Sequence, residues 1–285
     1  MFSPSILTDH LESLAKSIDL FVLFHLDPPA FPVPAIYSPI HCGYMGDLND
    51  YPYLTDRTDG EFLSTKADYY SELSGIYWAW KNSKSNILGS CHYRRVFTTY
   101  PFSLIYRLKR LLNSRLNVKL NLAPRRNIPS KKIGKFLPYL LNEQTILETF
   151  KNHDAILPAP IILKVTVREH YRQHHQIADL DLLEKIIQEK YAEYSDAFSE
   201  IMDSHELYPY NMFVLNREVF DQFMPWWFGV LGDFENRIDL AQFTGYQKRI
   251  LGYLSERLLT VWFKKNNQIR IKEFPLLFFK KLKID

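Results

Sequence analysis

At 285 residues, with 46% apolar and 24% charged side chains, the chain has the composition of a globular protein with a substantial core, which excludes the disordered and fibrous classes. Two cysteines, Cys42 and Cys91, exclude a disulfide framework and fit a reducing cytoplasm. The net charge of +3 conceals an asymmetry: residues 98–142 hold ten of the 35 Lys and Arg and none of the 32 Asp and Glu, so the positive character is local and the rest of the chain is net acidic.

Residues 1–20 have acidic and polar residues interspersed throughout and no apolar run approaches the roughly 18 residues of a bilayer span, so neither a signal peptide nor a membrane anchor is expected. Residues 3–17 read as a polar helix or arm. The run 18–25 (IDLFVLFH) is the first strand, and Pro28 and Pro29 stop it. Residues 31–42 carry Pro32, Pro34 and Pro39 and read as an extended loop, which Gly46, Asp47, Asn49 and Asp50 continue as turns. A helix opens near Ala67, with Leu73, Ile76, Tyr77 and Trp80 spaced as a core-facing stripe. Glu72, Gly75 and Ala79 share another face, whose two small residues allow a close approach. After Lys81–Ser85 stops the helix, Asn86–Cys91 is a strand of small and apolar residues suited to the centre of a sheet. His92, Tyr93, Arg94 and Arg95 follow at its carboxyl end, where open α/β sheets bind ligands. Two guanidinium forks there suit phosphate or carboxylate oxygens, and pairing with buried carboxylates is the rival role.

In the basic segment, Leu104, Leu108, Leu111 and Leu112 recur at helical spacing among Arg107, Lys109, Arg110 and Arg115. Such a helix either lies on an anionic membrane surface or packs on its own domain. Residues 143–152 read as a helix and 154–157 as a strand ended by Pro158 and Pro160. His170 and His174 stand at i and i+4 on one helical face; no third ligand adjoins them, so sugar or phosphate contact and a structural helix edge are the readings above a metal. Residues 179–203 are helical in two pieces, 210–215 are a strand, and 217–234 are helical with Pro225 expected to break or kink them. Trp226 and Trp227 read as core. In the last helix Ile250, Leu254, Leu258 and Val261 form the buried stripe, while Arg249, Gly252 and Glu256 share a face that could wall a site. Residues 269–274 close the chain as a strand, and 280–283 read as a basic tail.

The string SELSGIYWAWKN with ILGSCHYRRVF resembles the DUF4422 family of bacterial capsule and exopolysaccharide proteins, taken to be glycosyltransferases. Residues 36–43, 168–181, 210–216 and 245–262 carry the likeness in order, whereas 101–140 match poorly. The resemblance implies an α/β fold, a GT-A-like, Rossmann-type nucleotide-sugar-binding domain with a mixed central sheet, spanning residues 1–285 as one domain with the basic helical segment 98–142 inserted. It implies sugar transfer from a nucleotide-diphosphate donor, such as a UDP-sugar, to a saccharide or lipid-linked acceptor in capsule, exopolysaccharide or lipopolysaccharide synthesis. Hexosyl and galactofuranosyl transfer both fit. His25 stands where the family shows a histidine, but Leu26 replaces the lysine that follows it there. The acceptor side is assigned to His170, His174, Asn211, Gln247, Arg249 and Arg257.

Under that reading the donor site comprises His25, His92, Tyr93, Arg94 and Arg95. The strand end that would carry a metal-binding carboxylate pair has none, so the guanidinium groups are expected to stabilise the diphosphate without a metal cofactor, Mg and Mn remaining open. The candidate bases are Asp59, Glu72 and Glu256, with Glu72 equally able to orient an arginine. Expected partners are the nucleotide sugar, the acceptor and an anionic membrane surface, with the protein cytoplasmic or peripheral on the inner face of the membrane. A nucleic-acid-binding protein using the basic segment is one alternative, but no recognisable module supports it and no nucleic acid is expected. A non-catalytic polysaccharide-assembly scaffold is the other.

Overall fold

The computed structural model describes residues 18–29, 34–57, 63–101, 104, 106–108, 110–111 and 125–280. The expected N-terminal arm, the candidate base Asp59, and Lys109, Leu112 and Arg115 of the basic segment lie outside the described residues. The chain runs β1 (Ile18–Phe24), β2 (Tyr37–His41), β3 (Leu54–Thr55), α1 (Ala67–Tyr70), α2 (Leu73–Asn82), β4 (Ile87–His92), β5 (Arg95–Phe97) and β6 (Arg125–Pro129). It continues through α3 (Glu143–Phe150), β7 (Ala155–Pro158), β8 (Ile161–Ile162), α4 (Val167–His174), α5 (Ile177–Lys190) and α6 (Ser195–Asp203). The last part holds β9 (Glu206–Leu207), β10 (Phe213–Asn216), α7 (Arg217–Glu235), α8 (Ile250–Lys265), β11 (Ile271–Phe274) and β12 (Leu276–Lys280).

The main sheet is mixed, in the order β11-β7-β10-β4-β1-β2-β3, with β5, β12 and β6 extending it from the end of β4. Strands β1, β2, β3 and β4 are parallel, and β10 runs antiparallel between β4 and β7. Strand periodicity divides the core in two. Phe21, Leu23, Leu88, Phe213 and Leu215 pack under α2, α7 and α8, whereas Leu20, Val22, Ile87, Cys91 and Val214 face a second core completed by Ile128, Ile146 and Leu277. Every residue of β4 is buried, as its small and apolar composition predicts for a central strand. The chain leaves β1 toward β2 on one side and returns to β4 on the other, so the strand order switches between β1 and β4. Ligands of open α/β sheets bind outside the carboxyl ends of strands at such a point.

Four local readings of the sequence need correction. Residues 37–41 form β2 despite Pro39. Leu20 N–H donates to Ile36 O and Cys42 N–H to Phe24 O, so the even-numbered residues of β2 turn toward β1. Pro39 faces the other side, where β3 pairs only with Ile40 and His41, and no ladder bond is lost. The helix opening at Ala67 is interrupted at Ser71, whose φ of 53° separates α1 from α2. Helix α7 does not break at Pro225, which is exposed, so solvent can satisfy the Asp221 carbonyl that loses its partner. Lys280 ends strand β12, and residues 281–283 of the expected basic tail lie outside the described residues.

The basic segment is helical at residues 104, 106–108, 110 and 111. Tyr106 and Arg110, four residues apart, turn inward: Tyr106 Oη donates to Pro160 O at 2.9 Å, and Arg110 pairs with Glu273 and, at 3.5 Å, with Glu206. Leu104, Leu108 and Leu111 share the opposite face and are 69%, 51% and 55% exposed. No described helix is long and apolar enough to cross a membrane.

At Gly89 in β4, an added Cβ would come within 2.8 Å of the Phe213 carbonyl oxygen and 2.6 Å of Leu20 Cδ2. Backbone cannot yield as a side-chain tip can, so Gly89→Ala is expected to lower stability by about 1–3 kcal/mol. Gly134→Ala, where nothing lies within 4 Å, is the control and should stay within about 0.5 kcal/mol. Urea unfolding midpoints at unchanged m check both.

Candidate active site

Because β10 is antiparallel to β4, the residues entering β10 stand beside those leaving β4, at the switch-point edge of the sheet. Tyr210 (φ 71°) and Asn211 (φ 51°) are consecutive left-handed non-glycine residues, a conformation that persists only where neighbours fix it. Here they do. Ser90 Oγ donates to Asn211 O at 2.7 Å, His92 Nε2 lies 3.0 Å from Tyr210 O, and Tyr210 N–H donates to Glu256 Oε1 at 3.0 Å.

The Asn211 side chain reaches across to α2 and α8. Its Nδ2 donates to Glu72 Oε1 at 2.9 Å and to Gly252 O at 3.2 Å, and its Oδ1 accepts from Ser255 Oγ at 3.0 Å. Glu72 also accepts from Arg249 Nη2 at 3.3 Å and lies 3.8 Å from His92 Nε2. Arg249 Nε donates to Ser71 Oγ at 2.8 Å, which holds the break between α1 and α2. Burial opposes charge on Glu72, but the His92 edge, the Arg249 guanidinium and the Asn211 amide outweigh it and hold the carboxyl below its ordinary range. Glu72 is therefore an ionised strut within the site wall.

In front of this network opens a cavity of about 410 Å³. Arg95, Arg249 and Arg257 line it with Glu72 and Glu256, and His92, His170, His174 and His175 complete its polar wall. The Arg95 guanidinium lies over the Tyr210 ring, 4.4 Å from its centroid. Arg257 is buried; its Nη1 donates to Tyr253 O at 2.7 Å and stands 3.5 Å from Glu256 Oε2. The side chain of Glu256 is 22% exposed, against 5% for Glu72. Desolvation raises its pKa, opposed by Arg257, with the Glu72 charge adding to the rise. Burial pushes His92, His170 and His175 down to about 4, so all three are neutral near pH 7. Among the described residues, three arginines, two glutamates and these neutral imidazoles give the cavity a net positive charge suited to an anion.

A second cleft of about 500 Å³ opens at the ends of β1 and β2, lined by His25, Cys42, Gly43, Met45, Ser64 and Asp68. His25 Nδ1 lies 3.2 Å from Cys42 O, and burial lowers its pKa against the pull of Glu72. Buried Asp56 shapes this rim by accepting the Gly43 N–H through both oxygens, at 3.0 and 2.9 Å.

The structure therefore brings together His92, Arg95, His170, His174, Arg249, Arg257, Glu72 and Glu256 around one cavity, with His25 in the adjoining cleft. Asn211 is 1% exposed and braces the wall from behind, as the turn-former its residue type suggests. Gln247 sits at the edge, its Nε2 donating to His174 O at 3.0 Å and its Oε1 lying 3.1 Å from His175 Nδ1. Tyr93 and Arg94 are not among the cavity's walls: they form the turn between β4 and β5, with the Arg94 guanidinium 4.9 Å from the Tyr93 ring centroid. Sequence reading passed over His175, Tyr246 and Tyr253, which stack on one another along the cavity, His175 and Tyr253 at 4.1 Å. The doublet His174-His175 and the second tyrosine of GYQKRILGY were the available signals.

A parallel-centred mixed sheet with its polar cavity at the strand-order switch is a GT-A-like architecture. The solved apo structure of WbbM, a bifunctional glycosyltransferase, is similar to this chain at a TM-score of 0.76 and 26% identity. The match covers 93% of this chain and 46% of that one, so the chain spans about half of WbbM's length. A family model described as a domain of unknown function, DUF4422, matches residues 19–267, and the chain belongs to that family. No curated protein matches it significantly.

The neutral histidines set a pH dependence. In the unfolded chain a histidine takes up a proton near pH 6.5, whereas folded His92, His170 and His175 do so only near pH 4. Between those values the unfolded state binds more protons, so the stability these groups contribute is complete above about pH 6.5 and is lost as pH falls toward 4. The thermal midpoint should fall across that window, and His175→Gln should flatten the fall. The same fall in the variant would contradict the assignment for His175.

Proposed function

We propose that the chain is a glycosyltransferase that moves a sugar from a nucleotide-diphosphate donor, of the UDP-sugar type, to a saccharide or lipid-linked acceptor in bacterial surface-polysaccharide assembly. The observation that carries this reading is the net-positive cavity at the β1/β4 switch point, in a chain 26% identical over 93% of its length to a structure of a glycosyltransferase. In this reading the nucleotide enters the cleft beside His25, and the diphosphate lies toward Arg95 and Arg249. The acceptor approaches along His170, His174 and Tyr253.

Of the described candidate bases, Glu256 suits the role better than Glu72. Glu72 is buried and accepts from Asn211 and Arg249, whereas Glu256 opens to the cavity with a raised pKa. The acceptor oxygen would form its bond to the anomeric carbon as the bond from that carbon to the diphosphate oxygen breaks. Glu256 takes the acceptor's proton, and the departing diphosphate keeps the electron pair. Arginine charge supports that departure in place of a metal, because β4 ends at His92 and is followed by Tyr93-Arg94-Arg95, and the two described carboxylates of the cavity are held by Arg249, Arg257, Asn211 and the Tyr210 amide.

Glu256→Gln should lower kcat by about 10²–10⁴-fold while nucleotide-sugar binding persists. In the wild type, kcat/KM should fall with acid through a pKa above the ordinary glutamate value of about 4.3, because only the ionised form accepts the proton. That limb should vanish in the variant. Turnover should also survive a chelator; loss that added Mg²⁺ or Mn²⁺ restores would overturn the metal-free reading.

A further inference from the structure

Next to the polar cavity lies an apolar cleft of about 280 Å³ between α8, the β8–β9 pair and β11. Pro160, Leu207, Phe263, Ile269 and Ile271 form its apolar walls. Leu207 also lines the polar cavity, so the two adjoin at that residue. The basic segment borders the same cleft: Tyr106 donates to the carbonyl of Pro160, and Arg110 is bound to Glu206, another of its lining residues. The outward face of that helix presents Leu104 and Leu108, within residues 98–142 with their ten cations and no acid.

An apolar slot that meets a cationic chamber at Leu207, beside a basic helix with exposed leucines, suits a ligand with apolar and anionic parts in that order. We propose that this cleft binds the stretch of hydrocarbon chain next to the phosphate of a lipid-linked acceptor. The phosphate then lies past Leu207 toward Arg257, and the rest of the chain continues over Leu104 and Leu108 into an anionic bilayer. Burial of each methylene favours the slot, and the cations favour both the phosphate and the anionic leaflet. The size of the cleft limits it to a short stretch of chain, so the saccharide and phosphate remain in the polar cavity. The word acceptor rests on the glycosyltransferase reading; the amphipathic site itself does not.

The test uses the full chain with farnesyl phosphate, farnesol and methyl phosphate as probes, alongside a UDP-sugar panel. Farnesyl phosphate should bind at least about tenfold tighter than either part alone, because it fills slot and chamber together. Asn267→Trp, a substitution at an exposed lining position, and Ile269→Glu should each abolish that margin and leave UDP-sugar binding unchanged. The first variant serves where the second fails to fold. Equal binding of farnesol or of methyl phosphate, or a margin that survives Asn267→Trp, overturns the proposal. If the margin holds and vanishes on substitution while no UDP-sugar binds, the lipid site stands and the transferase reading falls.

Discussion

The structure around the cavity depends on one buried carboxylate. An ionised glutamate away from water is tolerable only when its oxygens are matched by donors or by charge. Glu72 meets that condition by joining segments remote in sequence: Asn211 before β10, Arg249 at the start of α8, and His92 at the end of β4. The same demand explains two backbone irregularities. Ser71 turns left-handed so that Glu72 stands at the head of α2, and Tyr210-Asn211 turn left-handed so that an amide can meet it. Each irregular residue is held from outside itself, Ser71 by Arg249 and the Tyr210-Asn211 pair by Ser90, His92 and Glu256.

That brace separates two roles for chemically similar residues. Glu72 is fixed and charged, whereas Glu256, one wall nearer the opening, is partly desolvated and has a raised pKa. The arginines divide likewise. Arg257 is buried as part of the wall, Arg249 is half-exposed and shared between Glu72 and the cavity, and Arg95 lies over Tyr210 at the cavity side. Neutral histidines add hydrogen-bonding edges without adding charge, so an entering anion meets the guanidinium groups as the positive sources.

Much of the scaffold was legible in the sequence. Ile18–Phe24 and Ile87–His92 are strands because their runs are apolar and bounded by breakers, and the stripe Ile250, Leu254, Leu258 and Val261 is buried as helical spacing requires. Placing ligand chemistry at the end of the 86–91 strand followed from topology alone. Of the two neighbouring arginines expected there, Arg95 lines the cavity and Arg94 is not among its walls: β5 returns directly opposite His92, and Arg94 lies in the β4–β5 turn. Pro39 does not stop β2, because no ladder partner needs its missing N–H, and Pro225 does not break α7, because the carbonyl it leaves unpaired is on the exposed side. Nothing local marked Ser71, and residue type marked Asn211 only as a turn-former, because both conformations answer to a carboxylate that is distant along the chain. The apolar face of the 104–111 helix was readable as a stripe, but which side met the protein depended on Tyr106 and Arg110 finding Pro160, Glu206 and Glu273.

The claim that the net-positive cavity at the β1/β4 edge is a nucleotide-sugar site is tested most directly by ligand-induced stabilisation. A ligand that binds the native state raises the apparent unfolding temperature as its concentration passes the dissociation constant. Across a complete panel of nucleotide sugars, at least one should produce such a rise with the wild-type chain, and Arg95→Ala should remove most of it while the unliganded melting temperature stays close to wild type. A panel that shifts nothing, or a shift that Arg95→Ala leaves intact, would contradict that placement of the site.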